Sequence, residues 1–204
     1  MKKILYLTLV IFTFITACSN KTSKELIESA EAKAKAGDNK GAIEDFTAAI
    51  EMDGDTANIL AIWHRGDLRV REKDFKGAIE DYTLLIQRQP KNTNAYCLRA
   101  NCKKVIGDIN GALEDAEFVI THDTINALAY YLRGYCRMKN GNNTDALTDL
   151  NKAIQRKPTM AFAYVSRGTV YLNTGLKTEA CADFAKAKEL GSTEVDDKIA
   201  KNCK

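Results

Sequence analysis

Residues of the same type recur at one regular spacing through most of the chain, and this repeat constrains its fold more than any other feature. In three columns of equivalent residues, the residue number rises first by 36 and then three times by 34. They are an alanine column (Ala42, Ala78, Ala112, Ala146, Ala180), a small-residue column (Ala30, Gly66, Ala100, Gly134, Gly168) and an aspartate column (Asp45, Asp81, Asp115, Asp149, Asp183). A fourth column, of arginine, precedes the last four small residues at Arg65, Arg99, Arg133 and Arg167. A repeat of this size predicts supersecondary units that stack into one continuous core.

Within each copy the apolar pattern is that of two helices joined by a tight turn. Ala78 and Tyr82 are four residues apart, as are Ala180 and Phe184, so each pair lies on one face of a helix. Glycine interrupts four of the five copies near the middle, where a helix end favours a left-handed residue, at Gly37, Gly107, Gly141 and Gly175. The second copy has Lys73-Asp74 at this place. Two prolines, Pro90 and Pro158, close their copies and predict where the second helix stops.

These residues resemble the tetratricopeptide repeat. The motif appears as Tyr130-x-x-Arg133-Gly134 followed by Ala146 and Pro158, and again as Tyr164-x-x-Arg167-Gly168 followed by Ala180-x-x-x-Phe184. The resemblance implies an all-α fold, a right-handed superhelical solenoid of five helix-turn-helix repeats at 23–56, 59–92, 93–126, 127–160 and 161–194. Val195 and Ile199 are four residues apart, and residues 195–204 are therefore expected to form a short C-terminal capping helix. The chain departs from the family where arginine replaces a leucine before the small residue, and where basic residues replace an aromatic at Lys33, Arg69, Lys103 and Arg137.

Residues 1–17 are predicted to be a signal peptide and not part of the fold. Two lysines precede an apolar run from Ile4 to Ala17, which is shorter than the roughly 20 residues that span a bilayer. The stretch Ile15-Thr16-Ala17-Cys18 resembles the lipobox of bacterial lipoproteins, which implies cleavage before Cys18 and attachment of acyl chains to it. Residues 18–22 then form a lipidated tether, and Thr22-x-x-Glu25 has the spacing of a capping box that begins a helix. The alternatives are an ordinary secretory signal with an incidental cysteine and an uncleaved anchor.

These features predict where the protein acts. A lipidated chain is expected in the bacterial cell envelope, at the outer membrane more readily than the inner one, with its body in the periplasm. Several acyl chains hold a protein firmly at a bilayer, whereas a single chain holds it weakly.

The charged columns have two interpretations. In one, each aspartate pairs with two basic residues of the same copy's first helix: the arginine and the basic residue four positions after that arginine. Arg133 and Arg137 with Asp149 are an example, and such pairs would fix helix register within or between copies. In the other, the basic residues form a stripe for an acidic ligand. One aspartate per copy would neutralise such a stripe, so we favour the ladder of charge pairs, which predicts that Arg133→Ala lowers stability and leaves binding specificity unchanged.

In tetratricopeptide folds the first helix of each copy lines a concave groove, and the resemblance implies a partner-binding surface at the matching positions. That surface comprises Leu60, Trp63, Asp67, Arg71, Asn94, Cys97, Asn101, Leu128, Tyr131, Tyr135, Met138, Phe162, Val165, Thr169 and Leu172. Its aromatic and Met side chains suit a hydrophobic segment of another envelope protein, either an extended peptide or an amphipathic helix. In chaperone-binding relatives, these positions hold the Lys, Asn and Arg side chains of a carboxylate clamp. Here Trp63, Cys97, Leu98 and Leu132 occupy much of the clamp, so a chaperone ligand is not expected. The alternative is that some of these residues pack within the array or lie scattered on its surface.

Five cysteines follow Cys18. Cys97 and Cys102 are five residues apart on one helix and point to different faces, so they are not expected to pair. Cys102, Cys136 and Cys181 occupy columns that hold aliphatic residues in other copies, and the simplest interpretation is three buried apolar thiols. A disulfide between Cys181 and Cys203 is the alternative for Cys181.

Composition excludes several function classes. Without Lys2 and Lys3 the chain has 28 basic and 27 acidic residues, a near-neutral balance that argues against nucleic acid as a partner. The two histidines, His64 and His122, lie in different copies, far apart in the sequence, and no phosphate-binding glycine loop or CxxC pair is present. We therefore expect no catalysis, cofactor, metal or small-molecule substrate. The preferred function is a membrane-tethered protein-interaction module acting as an adaptor or assembly factor; the alternatives are a structural spacer acting through its ends or convex face and, more remotely, an enzyme or metal carrier.

Overall fold

The structure, a computed structural model, describes residues 21–54 and 58–203, and in these ranges the chain folds entirely into helices and their connections. The helices are α1 (Ser23–Lys35), α2 (Asn39–Asp53), α3 (Ile59–Arg71), α4 (Phe75–Arg88), α5 (Thr93–Ile106), α6 (Ile109–His122), α7 (Ala127–Lys139), α8 (Asn143–Arg156), α9 (Ala161–Asn173), α10 (Lys177–Glu189) and α11 (Asp196–Asn202). The predicted signal peptide and Cys18 lie outside the described residues.

The ten longer helices pack as five sequential pairs, followed by the short C-terminal helix α11, which confirms the predicted all-α repeat architecture. The capping box at the start of α1 is present, because the Glu25 amide donates to Thr22 Oγ1 at 3.3 Å and the Thr22 amide donates to Glu25 Oε2 at 2.8 Å. The second helices α4 and α8 end two residues before Pro90 and Pro158, as the prolines predicted.

Each turn within a pair uses a left-handed residue, and in four of the five pairs a side-chain cap follows it. Four of these residues are the predicted glycines, with φ between 79° and 86°. In the second pair Lys73 adopts φ 63°, a conformation that disfavours a residue with a Cβ atom. The next residue caps the second helix in four pairs; Asp108, for example, accepts a hydrogen bond from the Gly111 amide at 3.0 Å.

The small-residue column allows the two helices of a pair to approach closely. A Cβ atom added to Gly168 would lie 2.7 Å from Phe184 Cε1, and one added to Gly66 would lie 2.9 Å from Tyr82 Cε1. Both rings are almost completely buried. The large residue therefore fills the space that the glycine of its own copy leaves open.

The charge ladder lies inside each copy. In the fourth copy Arg133 donates from Nε and Nη2 to the two carboxylate oxygens of Asp149 at 2.9 and 2.8 Å, and Arg137 Nη1 donates to the same carboxylate at 2.7 Å. Equivalent contacts join Arg65 and Arg69 to Asp81, Arg99 and Lys103 to Asp115, and Arg167 to Asp183. Because each aspartate is buried, these pairs hold the two helices of a copy in register, as the favoured interpretation predicted.

Three of these arginines also connect neighbouring copies. Nη1 is the guanidinium nitrogen that Arg99 and Arg167 do not use on their aspartates. Nη1 of Arg99 donates to Thr83 Oγ1 of the preceding copy at 3.1 Å, and Nη1 of Arg167 donates to Asn151 Oδ1 at 2.7 Å. Arg65 makes the corresponding bond to Thr47 at 3.2 Å. In the first copy Ser29 takes the place of the arginine and donates to Asp45 at 2.7 Å. The arginine column therefore begins at the first copy that has a neighbour on its N-terminal side.

The C-terminal segment covers the last pair. Val195 is completely buried and Ile199 packs against the same apolar cluster. A disulfide joins Cys181 of α10 to Cys203, with their Cα atoms 5.6 Å apart. The prediction that Cys181 is a buried free thiol was wrong, because the end of α11 brings Cys203 against α10; the alternative pairing is correct.

Three other cysteines, Cys97, Cys102 and Cys136, are free and buried, so Cys97 and Cys102 do not pair.

No helix in the ranges 21–54 and 58–203 combines the length and the apolar character that crossing a membrane requires.

Candidate functional site

Two clefts contain residues of the predicted surface, and the larger of them lies between α5, α7 and α9, the first helices of the third, fourth and fifth copies. It has a volume of about 550 Å³. Residues 194 and 198, beside and within α11, form a further wall. The first helices point these side chains to one side because their equivalent positions recur at the repeat period.

The cleft brings together a large part of the predicted surface. These residues are Cys97, Asn101, Leu128, Tyr131, Tyr135, Met138, Phe162, Val165 and Thr169. The other predicted residues lie elsewhere. Asp67 and Arg71 line the second cleft, whereas Leu60 and Asn94 are exposed outside both clefts. Trp63 packs against the core of the first two copies, and Leu172 packs in the C-terminal apolar cluster.

An aromatic wall forms the centre of the larger cleft. The ring of Tyr131 packs against Phe162 with centroids 4.4 Å apart and an interplanar angle of 59°, and it lies 6.2 Å from the ring of Tyr135. Tyr131 is 4% exposed, whereas Phe162 is 42% exposed. Burial raises the pKa of the Tyr131 hydroxyl, so it remains protonated. The wall offers a fixed inner ring and an accessible outer one, an arrangement that suits an apolar side chain.

Lys104 stands at the aromatic wall. Its ammonium nitrogen lies 5.1 Å from the centroid of Tyr131 and 5.3 Å from that of Tyr135, and it donates to Tyr131 Oη at 3.2 Å. Burial lowers the pKa of Lys104, because removal from water penalises the charged form.

Sequence reasoning missed six residues of this cleft. They are Leu98, Lys104, Lys139, Ser166, Glu194 and Lys198. The repeat itself contained a signal for two of them. Lys104 occupies the same register position as Met138 and Leu172 of the next two copies, and Lys139 occupies that of Arg71 in the second copy; Met138, Leu172 and Arg71 were all predicted. Glu194 and Lys198 had no such signal, since they lie at or beyond the end of the last copy and reach the cleft only because the tail folds back.

A smaller cleft of about 290 Å³ lies between the first two copies. The imidazole of His64 stacks on Phe46 with centroids 5.9 Å apart, and Trp63 meets the same imidazole edge-on at 4.9 Å. Asp67 and Arg71 pair with each other at 2.9 Å on its rim. These two charged groups on the rim therefore satisfy each other.

The side chains that line the larger cleft mostly suit non-covalent contact. Its one thiol, Cys97, is 2% exposed, and burial raises the pKa of that thiol to about 12, so the reactive thiolate is scarce at neutral pH. Its remaining side chains offer apolar surface, amide and hydroxyl groups, and mostly lysine charge. Such a surface recognises a partner through shape, apolar burial and ionic contacts.

Comparison with known proteins agrees with this architecture. The sequence profile described as "Tetratricopeptide repeat" matches residues 27–93, 105–161 and 137–194. Members of this family are interaction scaffolds and are typically non-catalytic. No curated protein gives a significant match to the chain.

Several solved structures share the fold. The structure of the MamA protein is 25% identical, with a TM-score of 0.71, and the alignment covers 88% of this chain and 94% of that one. MamA from Desulfovibrio magneticus RS-1 is 17% identical, with a TM-score of 0.72 and coverage of 82% and 94%. YrrB, described as a TPR protein with an unusual peptide-binding site, is 17% identical, with a TM-score of 0.67 and coverage of 88% and 91%. The helix pairs, the repeat columns and the profile match together show that this chain belongs to the tetratricopeptide repeat family.

Proposed function

We propose that this protein is a non-catalytic scaffold that binds a segment of another protein in the cleft between α5, α7 and α9. The observation that carries the proposal is the aromatic wall, where an accessible Phe162 rests on a buried Tyr131. A partly exposed aromatic ring supported by a fixed one is typical of binding hot spots. YrrB, a TPR protein with an unusual peptide-binding site, has the same fold, which is consistent with this proposal.

Site-specific cross-linking in cells tests the cleft directly. A photoreactive residue at Phe162 is expected to capture a partner, and the captured segment, made as a synthetic peptide, should lose at least about tenfold in affinity for Phe162→Ala. Leu60 supplies a matched control, because it occupies the equivalent position of the second copy, is 63% exposed and lies outside both clefts. A peptide that binds wild type and Phe162→Ala equally would refute this site.

The second part of the proposal is a lipid tether at Cys18, which places the scaffold in the bacterial cell envelope, at the outer membrane, with its body in the periplasm. The lipobox-like stretch before Cys18 and the capping box at Thr22 support a short connection between lipid and array. Mass spectrometry of the mature N-terminus should find an acylated Cys18, and Cys18→Ser should release the protein from the membrane fraction. A mature N-terminus at another residue would contradict the tether, and flotation of the envelope membranes would decide between the inner and outer membrane.

A further inference from the structure

The cations of the charge ladder are paired with acids, whereas Lys104 lies outside the ladder and faces the main cleft. Its neighbour Lys103 pairs with Asp115 at 3.0 Å, and the arginines of the ladder pair with buried aspartates. Within the part of the chain that the structure describes, Lys104 forms no ion pair with a carboxylate, and Glu194, the acid of the cleft that attracts its charge, lies beyond ion-pair distance. Its contacts are the Tyr131 hydroxyl and the faces of two tyrosine rings.

This arrangement leaves an ammonium group underpaired in a partly desolvated position. A lysine has three N–H donors, and the structure uses one of them on Tyr131 Oη. Withdrawal of a charge from water is unfavourable unless an opposite charge compensates, and the faces of the rings compensate only in part. An anionic group entering the cleft would complete the coordination of Lys104.

The charge around the cleft has the same sign. Lys139 and Lys198 line it as well, and Glu194 is the single acid among its lining residues. The ammonium nitrogen of Lys139 lies 5.6 Å from the centroid of Tyr135, on the same aromatic wall as Lys104. The larger cleft is therefore positive, although the chain after Lys3 is nearly neutral.

We propose that the cleft recognises a peptide segment in which a carboxylate is next to a large apolar side chain, with the carboxylate on Lys104 and the apolar group against Phe162 and Tyr131. The inference rests on the function proposed above and specifies the chemistry of the segment. The carboxylate has two possible sources, an Asp or Glu side chain or the C-terminus of the partner, and both present the same group to the ammonium.

Four labelled peptides separate the sources. Acetyl-AAEFAA-amide carries an internal acid and acetyl-AAQFAA-amide is its neutral isostere, while acetyl-AAAAAF is made with a free C-terminal carboxylate or as the amide. Fluorescence anisotropy with the purified full-length protein measures each affinity. The acidic member of at least one pair should bind about ten- to a hundredfold more tightly than its neutral counterpart, the range of a charge-assisted hydrogen bond. The pair that shows this difference identifies the source.

Two lysine variants assign the effect. Lys104→Met places at this position the residue that the fourth copy has at Met138, so the substitution suits the helix and the fold. It should bring the acidic and neutral peptides within about twofold of each other. Lys152→Met is the matched control, because Lys152 also stands over a tyrosine, 5.2 Å from the centroid of Tyr130, but lies outside the cleft. It should leave the preference unchanged.

The outcomes distinguish this inference from the proposed function. An acid preference that survives Lys104→Met, equal binding of acidic and neutral peptides, or no binding by any of the four peptides would overturn the role of Lys104. The cleft itself is judged by Phe162→Ala and by cross-linking at Phe162. Loss of all peptide binding in Phe162→Ala together with a retained acid preference in Lys104→Met would keep the cleft and reject its specificity.

Discussion

The strongest test of the fold is removal of one buried carboxylate from the charge ladder. Asp149 is 0% exposed and accepts three charge-assisted hydrogen bonds, two from Arg133 and one from Arg137, at 2.7 to 2.9 Å. In Asp149→Asn the side chain keeps its size, but its NH₂ group faces guanidinium donors and the negative charge is lost. Breaking one side of a buried ion pair costs about 3–5 kcal/mol, because the remaining charge stays desolvated. The retained amide oxygen places our expectation at the lower end, about 3 kcal/mol.

Urea denaturation followed by circular dichroism measures this loss, and thermal unfolding should show a decrease in Tm of about 6–12 °C for a chain of this length. Asp67→Asn is the matched control, because Asp67 forms an ion pair with Arg71 at 2.9 Å in which both side chains are more than a third exposed. Exposed pairs of this kind contribute about 0–1 kcal/mol. A decrease in Asp149→Asn no larger than that in Asp67→Asn would show that the ladder does not stabilise the array.

Three further predictions concern backbone and cysteine chemistry. Lys73→Gly should raise the free energy of unfolding by about 0.5–1 kcal/mol, and Gly107→Lys should lower it by a similar amount, because both positions are left-handed; changes of the same sign in urea denaturation would contradict this. Cys203→Ser should lower stability by about 3 kcal/mol, since the disulfide joins cysteines at a sequence separation of 22, and a melting temperature insensitive to reductant would disprove a stabilising bond. The free thiols of Cys97, Cys102 and Cys136 should react with a thiol reagent only after denaturation, because burial raises their pKa values to about 11 or 12. Fast labelling of the native protein would refute their burial.

The fold was predictable because every copy repeats the same local information. Glycine at the turn, proline after the second helix and alanine or glycine at the close contact each act within a few residues of their own position. Lys73 shows the limit of such signals. The sequence marked the second copy as lacking a glycine, and the structure nevertheless has the same left-handed turn there, because the packing of the two helices fixes the backbone.

The candidate site was predictable in part. The register of the first helices correctly grouped Tyr131, Tyr135 and Phe162, which are related by the helical and repeat periods. It did not show that the predicted surface divides into two clefts, nor that Trp63 packs against the core instead. Those outcomes depend on the volumes of side chains that meet between neighbouring copies. A column of equivalent positions gives no information about those contacts.

The sequence by itself determined the repeat and its helix pairs and predicted the charge pairs, because the residues of each pair recur at fixed separations of 12 or 16 positions. Only the tertiary structure decided that the charge pairs lie within each copy, that Cys181 pairs with Cys203, that the tail supplies Glu194 and Lys198 to the cleft, and that Lys104 lies over two tyrosine rings without an ion-pair partner. The tail follows the last repeat and has no counterpart in it, so periodicity carries no information about where it docks. Its position depends on burial of Val195 and Ile199 against the apolar end of the array, a contact that exists only after the helices have stacked.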